Sequence, residues 1–276
     1  MTINRLKSLL TKGLVYAASF FTVAVLLVIV ADILRHGVPY LRPDLFAWKY
    51  DSVNVSLTPA LINTLSMTLL ALLAAVPAGL GAAVYLAEYA ARGGFFVKAV
   101  RVTAETLSGL PSIIYGLFGL LFFVTACRMG ISLLAGAMTL AMMILPLVMR
   151  TAEEALRAVP DSYREASFGL GAGRLRTVFC VVLPSAVPGI LAGVILGIGR
   201  IVGETAALIY TAGTVAEVAR SVFDSSRTLA VHMYTLSSEG LYMNQTYATA
   251  VMLLIITAGI NALSSFAARR FAHGSV

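Results

Sequence analysis

Six apolar stretches decide what this chain can become: residues 14–34, 61–83, 107–127, 131–149, 184–211 and 247–267. A helix needs about 20 mostly apolar residues to cross a bilayer, and each stretch meets or approaches that length. The expected fold is therefore an all-α integral membrane protein with six transmembrane helices. Composition agrees. Apolar residues make up 59% of the chain and charged residues 12%, with a mean hydropathy of +0.90. A soluble domain carries about 45–50% and about 25%, so this chain lacks the charge to cover a water-facing surface. Disorder, secretion and a soluble enzyme core are excluded. The first stretch follows Arg5, Lys7 and Lys12, as a signal peptide would. It is too long for such a segment and no small-x-small cleavage site follows, which predicts a retained helix.

The net charge of +7 is read here through orientation rather than through nucleic acid. With the N-terminus inside, the inner set is Arg5, Lys7, Lys12, Arg92, Lys98, Arg101, Arg150, Arg157, Arg164, Arg174, Arg176, Arg269 and Arg270, 13 in all. The outer set is Arg35, Arg42, Lys49, Arg128, Arg220 and Arg227, 6 in all. Positive residues stay inside, so this ratio predicts N-in and C-in topology. Three regions follow: a first helix with its outer loop (1–59), a core of five spans (60–267) and an inner tail (268–276). The outer loop 35–60 holds Trp48, the one tryptophan, as an interfacial anchor. A second outer connection, 212–246, is polar with room for a short amphipathic segment.

The inner connection 150–183 has the signals of a helical hairpin. Pro160-Asp161 ends the preceding helix, and Ser162 with Glu165 fits a capping box. Gly169, Gly171 and Gly173 allow a reversal. Leu175, Val178, Phe179 and Val182 then give a second limb an apolar face before Leu183-Pro184 opens the next span. The hairpin either docks into a partner or lies on the lipid surface.

No soluble-type active site is legible. The chain has no GxxxxGK[ST] loop for nucleotide, no HExxH and no Gly-x-Ser-x-Gly. Its three histidines (His36, His232, His273) are scattered, and Cys127 and Cys180 lack metal-ligand spacing and read as small apolar fillers. No catalytic residue, metal site or cofactor is expected in this chain. The chemical signal lies inside the fifth stretch, where Arg200 and Glu204 stand four apart and are expected to pair on one helix face. A charge near the bilayer centre must face protein or water. Gly189, Gly193 and Gly197 run toward the pair at a spacing that lets another backbone approach. Either the pair is a neutralised structural lock, or Arg200 presents its planar fork to a passing oxyanion while Glu204 orients it.

Glu165-Ala166-Ser167, Gly171, nine residues and Val181-Val182-Leu183-Pro184 together resemble the Glu-Ala-Ala coupling loop of ABC-importer permeases. Ser167 and Val181 are mild departures. Tyr85-Leu86-Ala87-Glu88-Tyr89, the run from Leu110-Pro111-Ser112 to Gly119, and Gly203-Glu204-Thr205-Ala206-Ala207-Leu208 resemble the PstA-like family of phosphate-importer permeases. There the last motif usually has proline where Ala207 stands. The resemblance spans roughly residues 60–211. It implies a MetI-like type I importer fold in a bacterial or archaeal plasma membrane and a coupling hairpin at 151–183 built on Glu165, Ala166, Ser167, Gly171, Leu183 and Pro184. It also implies a phosphate pathway that includes Arg200, Glu204 and Arg150. The implied partners are a PstC-like second permease, a PstB-like ATPase dimer that binds the ATP, and a PstS-like phosphate-binding protein. Two other readings stay open: an ABC permease for another oxyanion or solute, and an ion-coupled secondary transporter using Glu204. The second is disfavoured by the absence of self-similar halves.

Overall fold

A computed structural model of the chain describes residues 2–91 and 94–273, with the side chains at 2–7, 9, 264, 265 and 267–273 left out. The sequence assignments to Arg5, Lys7, Arg92, Arg269, Arg270, the His273 side chain and the last three residues of the tail lie outside the described residues. Eleven α-helices and no strand occur among the described residues. Helix α1 (Thr2–Gly37) leads to two short 3-10 turns, each opened by a proline, and to α2 (Thr58–Val84). Then come α3 (Phe95–Ser108), α4 (Ser112–Gly119), α5 (Leu133–Ala158), α6 (Asp161–Gly169) and α7 (Arg174–Thr177). The chain closes with α8 (Leu183–Val202), α9 (Ala206–Thr211), α10 (Leu229–Glu239) and α11 (Met243–His273). Wide π-type turns extend α2 through Tyr89 and α4 through Ala126, and join α7 to α8.

Among the described residues, five helices are long and apolar enough to cross a membrane, and the α3–α4 pair, bent by 102°, passes the same test only when its two parts are counted as one span. That bend corrects the expected span 107–127, which is not one straight helix. Pro111 fixes its own φ and bars Leu110 from a helical conformation, so α3 stops at Ser108 and α4 leaves in a new direction. The Tyr115 hydroxyl donates to the Leu107 carbonyl at 2.8 Å, satisfying one acceptor opened by the break. Residues 112–126 beyond the corner amount to about 22 Å of helix, shorter than an ~30 Å hydrocarbon layer. Helix α3 exposes Phe95, Phe96 and Val102 while burying Val97 and Ala104.

Helix α5 is the centre of the bundle. Two thirds of its apolar stretch is buried, against less than a third for every other span. Met143 and Ile144 pack there with Met67 of α2, Ile201 of α8 and Leu208 of α9. Helix α8 lies against α5 along its glycines. A Cβ on Gly189 would stand 2.6 Å from the Ala155 side chain, and one on Gly193 would stand 2.6 Å from Cβ of Thr151. Gly197 faces Ile144 and Val148. Helix α1 is peripheral, with none of its apolar stretch buried, and meets α11 where His36 stacks near Tyr247 at 5.2 Å.

The outer segment 212–228 does more than connect. Its carbonyls at Asp224 and Val222 accept the Leu133 and Leu134 amides at 2.9 and 2.8 Å, so it closes the open end of α5 together with the Ser132 cap. Asn63 of α2 holds the segment by bonding the Glu217 carbonyl (2.8 Å) and the Ala219 amide (3.0 Å). Cys127 and Cys180 are both free and exposed, so neither fills the core of this chain.

Beside this segment, Arg227 is buried with its guanidinium over the Tyr50 ring at 4.7 Å. His232 is fully buried and meets the same ring edge-on at 6.1 Å. Burial first, and the Arg227 charge second, push the His232 imidazole down to about 3. An unfolded histidine titrates near 6.5, so the stability held by neutral His232 is complete above that pH and falls as the solution is acidified. The slope approaches about 1.4 kcal/mol per pH unit between the two values. Thermal unfolding of the purified protein from pH 7.5 to 4.5 measures it. His232→Phe should flatten the acid limb, and an unchanged acid limb would show that His232 is not the group responsible.

Candidate functional site

The fifth expected span, 184–211, is broken at its most informative place. Helix α8 ends at Val202, Gly203 caps it, and α9 starts separately at Ala206. Arg200 and Glu204 therefore do not share a helix face, which corrects the expected pair. The Glu204 carboxylate turns to the start of α9, where one oxygen accepts the Thr205 amide at 3.2 Å and the Ala207 amide at 3.1 Å. The reason is local. A helix beginning in a buried place has unpaired N–H groups, and a carboxylate at its positive end satisfies two of them. Glu204 is buried at 8% exposure, so those bonds are shielded from water.

Arg200 is left half-buried near the end of α8, with no ion pair among the described residues. On α4, the Tyr115 hydroxyl braces the α3–α4 corner. The two broken spans pack together where α4 meets α9. Helix α9 is clasped between α4 and α5 by glycines that sequence reading did not single out. A Cβ on Gly116 would stand 2.7 Å from the Ala207 Cα, and one on Gly136 would stand 2.8 Å from the Ala212 side chain. Gly119 faces Thr139 and Thr211. On its other side Thr205 lines a mostly apolar cavity of about 590 Å³ together with Ile113, Ile209, Tyr210, Tyr234 and Met243.

Arg150 is not part of this place. Its Nε donates to Glu154 at 3.0 Å and its guanidinium stands 3.8 Å from Glu105. Gly193 packs on Thr151, the neighbour of Arg150, and Arg200 lies seven residues further along α8. The two arginines are separated by about 10 Å along the helix axes.

Between α5 and α8 the chain forms a compact hairpin. Helix α6 starts at Asp161 rather than after Ser162, with Pro160 in the capping place and no side-chain cap. The expected capping box is absent because extended Pro160 leads straight into the helix, and Asp161 supplies the acidic group of the first turn. Glu165 and Ala166 lie exposed on α6. Gly171, at φ +83°, makes the reversal, and the Ala172 amide bonds the Ser167 carbonyl at 3.1 Å. The buried Ser167 hydroxyl meets that of Thr177 at 2.8 Å and ties the two limbs. Leu170 at the tip is 90% exposed, with Phe168 half exposed beside it. Leu183 and Pro184 open α8.

The hairpin is bolted to the inner end of α2. Arg164 donates to Glu88 at 2.7 Å, to the carbonyls of Val159 (2.7 Å) and Leu156 (2.9 Å), and to Asp161 at 3.2 Å. The bond to Glu88 pushes the Arg164 guanidinium further above its usual range. Arg174 donates to the Glu88 carbonyl and lies over the Tyr89 ring. Removing one partner of so buried a pair costs about 3–5 kcal/mol. Nothing in sequence spacing links residues 88 and 164. No cluster of three or more metal-binding side chains occurs among the described residues.

Residues 75–274 match the family described as Binding-protein-dependent transport system inner membrane component. The chain is 33% identical over 247 residues to the probable ABC transporter permease protein YqgI of Bacillus subtilis, covering 84% of both. It is 37% identical over 211 residues to the phosphate transport system permease protein PstA of Pasteurella multocida, covering 76% of this chain and 75% of the other. To PstA of Mycobacterium leprae it is 36% identical over 205 residues, 73% of this chain and 67% of the other. In fold it resembles a chain of a bacterial ABC transporter that imports alginate, with TM-score 0.67 at 16% identity, covering 96% and 98% of the two chains. It also resembles a chain of the MetNI methionine ABC transporter, with TM-score 0.59 at 22% identity over 76% and 93%.

The cap makes a clear prediction. Glu204→Gln keeps an accepting oxygen and should change thermal stability by less than about 0.5 kcal/mol, whereas Glu204→Ala should cost about 1–2 kcal/mol. Calorimetry on the purified variants measures both. Equal losses would mean that the carboxylate charge, and not the amide bonds, is what α9 requires.

Proposed function

Because the chain belongs to the family of binding-protein-dependent transport system inner membrane components, we propose that it is the permease subunit of an ATP-driven importer of inorganic phosphate and forms half of the translocation pathway. The observation that carries the substrate is Arg200. It is a guanidinium inside a membrane span, half-buried and without a counter-ion among the described residues, because Glu204 is engaged at α9. A desolvated arginine fork offers an oxyanion two parallel hydrogen bonds and repays part of its lost hydration. An unpaired arginine is costly in a bilayer unless water or an anion reaches it. Relatives named as phosphate permeases favour phosphate over another oxyanion.

In this reading the complex holds a PstC-like second permease, a PstB-like ATPase pair that binds the ATP, and a PstS-like phosphate-binding protein. It resides in a bacterial or archaeal plasma membrane. The chain itself carries the pathway and no hydrolytic site. The hairpin tip at Phe168, Gly171 and Leu170 offers an apolar knob to a cleft on the ATPase, and the Glu88–Arg164 bond passes its movement to α2 without slack. Glu165 and Ala166 flank that knob. Arg150, held by Glu154 and Glu105, serves as an anchor on the hairpin side of Arg200.

Uptake of labelled phosphate by the reconstituted complex tests the assignment. Arg200→Gln should assemble normally yet lower uptake about tenfold to a hundredfold, the worth of hydrogen bonds to a charged group. Native uptake by a well-assembled Arg200→Gln complex would remove Arg200 from the pathway. Uptake driven by a pH gradient alone would favour ion coupling instead.

A further inference from the structure

We propose that the corner between α2 and the hairpin is a binding site for an anionic phospholipid of the inner leaflet. Two features meet at Arg174. On one side lies a crevice of about 800 Å³ walled by Arg101, Arg157, Arg164 and Arg174, with Glu88 and Asp161 as its acids. On the other lies an apolar groove of about 460 Å³ between α2 and the α7–α8 limb, lined by Leu80, Gly81, Val84, Leu175, Phe179 and Leu183.

The charges in the crevice do not balance. Arg101 and Arg157 share one carboxylate, Glu153, at 2.6 and 3.1 Å. Arg164 is taken up by Glu88 and Asp161. Arg174 has no carboxylate among the described residues: it bonds the Glu88 backbone carbonyl and lies 5.1 Å above the Tyr89 ring. Four guanidiniums thus face three carboxylates, and the surplus stands at the mouth of the groove. Basic pockets between spans on the inner side suit anionic headgroups.

The groove has the dimensions of the other half of such a molecule. From Pro77 to Tyr89 it follows thirteen residues of α2 and its π-type extension, about 18 Å and so roughly one leaflet of an ~30 Å hydrocarbon layer. Tyr85 and Tyr89 are partly exposed at its basic end, where aromatic residues mark the headgroup level. An acyl chain lying against Val84 and Phe179 brings its phosphate to Arg174. An apolar groove alone would accept any lipid; the unmatched arginine at its end selects an anionic one. By bridging α2 and α7 beside the Glu88–Arg164 bond, the lipid would steady the hairpin.

Native mass spectrometry of the detergent-purified transporter complex tests this, with added phosphatidylglycerol or phosphatidylcholine of identical chains. The first phosphatidylglycerol should bind at least about fivefold more tightly than phosphatidylcholine, the effect of one arginine near a headgroup. Arg174→Gln should erase that preference. Gly81→Leu should weaken retention of both lipids, because a Cβ at Gly81 meets nothing within 4 Å and the added side chain fills the groove without a clash. If Arg174→Gln fails to assemble, Gly81→Leu decides alone. Equal binding of the two lipids by the native complex, a preference untouched by Arg174→Gln, or retention of both lipids untouched by Gly81→Leu would overturn the proposal. So would loss of the preference to millimolar inorganic phosphate at constant ionic strength, which would make the crevice a site for the free anion. A preference present without the ATPase subunit and absent with it would mean that protein, not lipid, covers the corner.

Discussion

A carboxylate spent on two backbone amides sets the character of this molecule. Glu204 had the spacing to neutralise Arg200 and does not, because α8 stops at Gly203 and the following turn needs its amides closed. In water such a choice would be of small consequence. Within a bilayer, where every polar group must find a partner, it leaves the Arg200 guanidinium without an ion pair among the described residues and fixes α9 in place. The glycines at 116, 119 and 136 then permit α9 to sit closely between α4 and α5. Breaks in two spans, rather than the spans themselves, shape the place where the proposed phosphate pathway would offer its charge.

At the opposite end the logic is reversed, and charge is locked rather than freed. Glu88 and Arg164 bind residues 76 apart in sequence, and Arg164 also closes the carbonyls left by the end of α5. The hairpin is thereby a lever attached to α2 and α5 together. Ser167, which departs from the alanine of the family pattern, contributes the bond to Thr177 that ties the two limbs together. A hairpin held firmly at one end and a cation without an ion pair at the other are what the proposed permease would need for force at the hairpin to change access to Arg200.

What the sequence made legible follows from what hydropathy measures. Apolar length located the crossings and the charge asymmetry suggested their direction, because insertion into lipid depends on those sums. A window of about 20 residues cannot register a corner made by Gly109 and Pro111, so the third crossing was read as straight. The spacing of Arg200 and Glu204 implied a pair only if the helix continued through Gly203. The sequence held a contrary signal, since a glycine followed by Glu-Thr also reads as one helix ending and another being capped. In the hairpin Pro160 outweighed the Ser162 capping pattern, because a ring-fixed φ is a stronger constraint than one hydroxyl. The Glu88–Arg164 bond had no local signal at all, being a product of tertiary packing.

The central claim is that Arg200 and Glu204 are energetically separate. A double-mutant cycle on thermal stability of the assembled complex measures this directly, using Arg200→Gln, Glu204→Gln and the two together. Independent groups give a coupling energy under about 0.5 kcal/mol, which is the result this account predicts. A coupling of about 2 kcal/mol or more, with the double variant more stable than either single one, would establish a buried ion pair and contradict it.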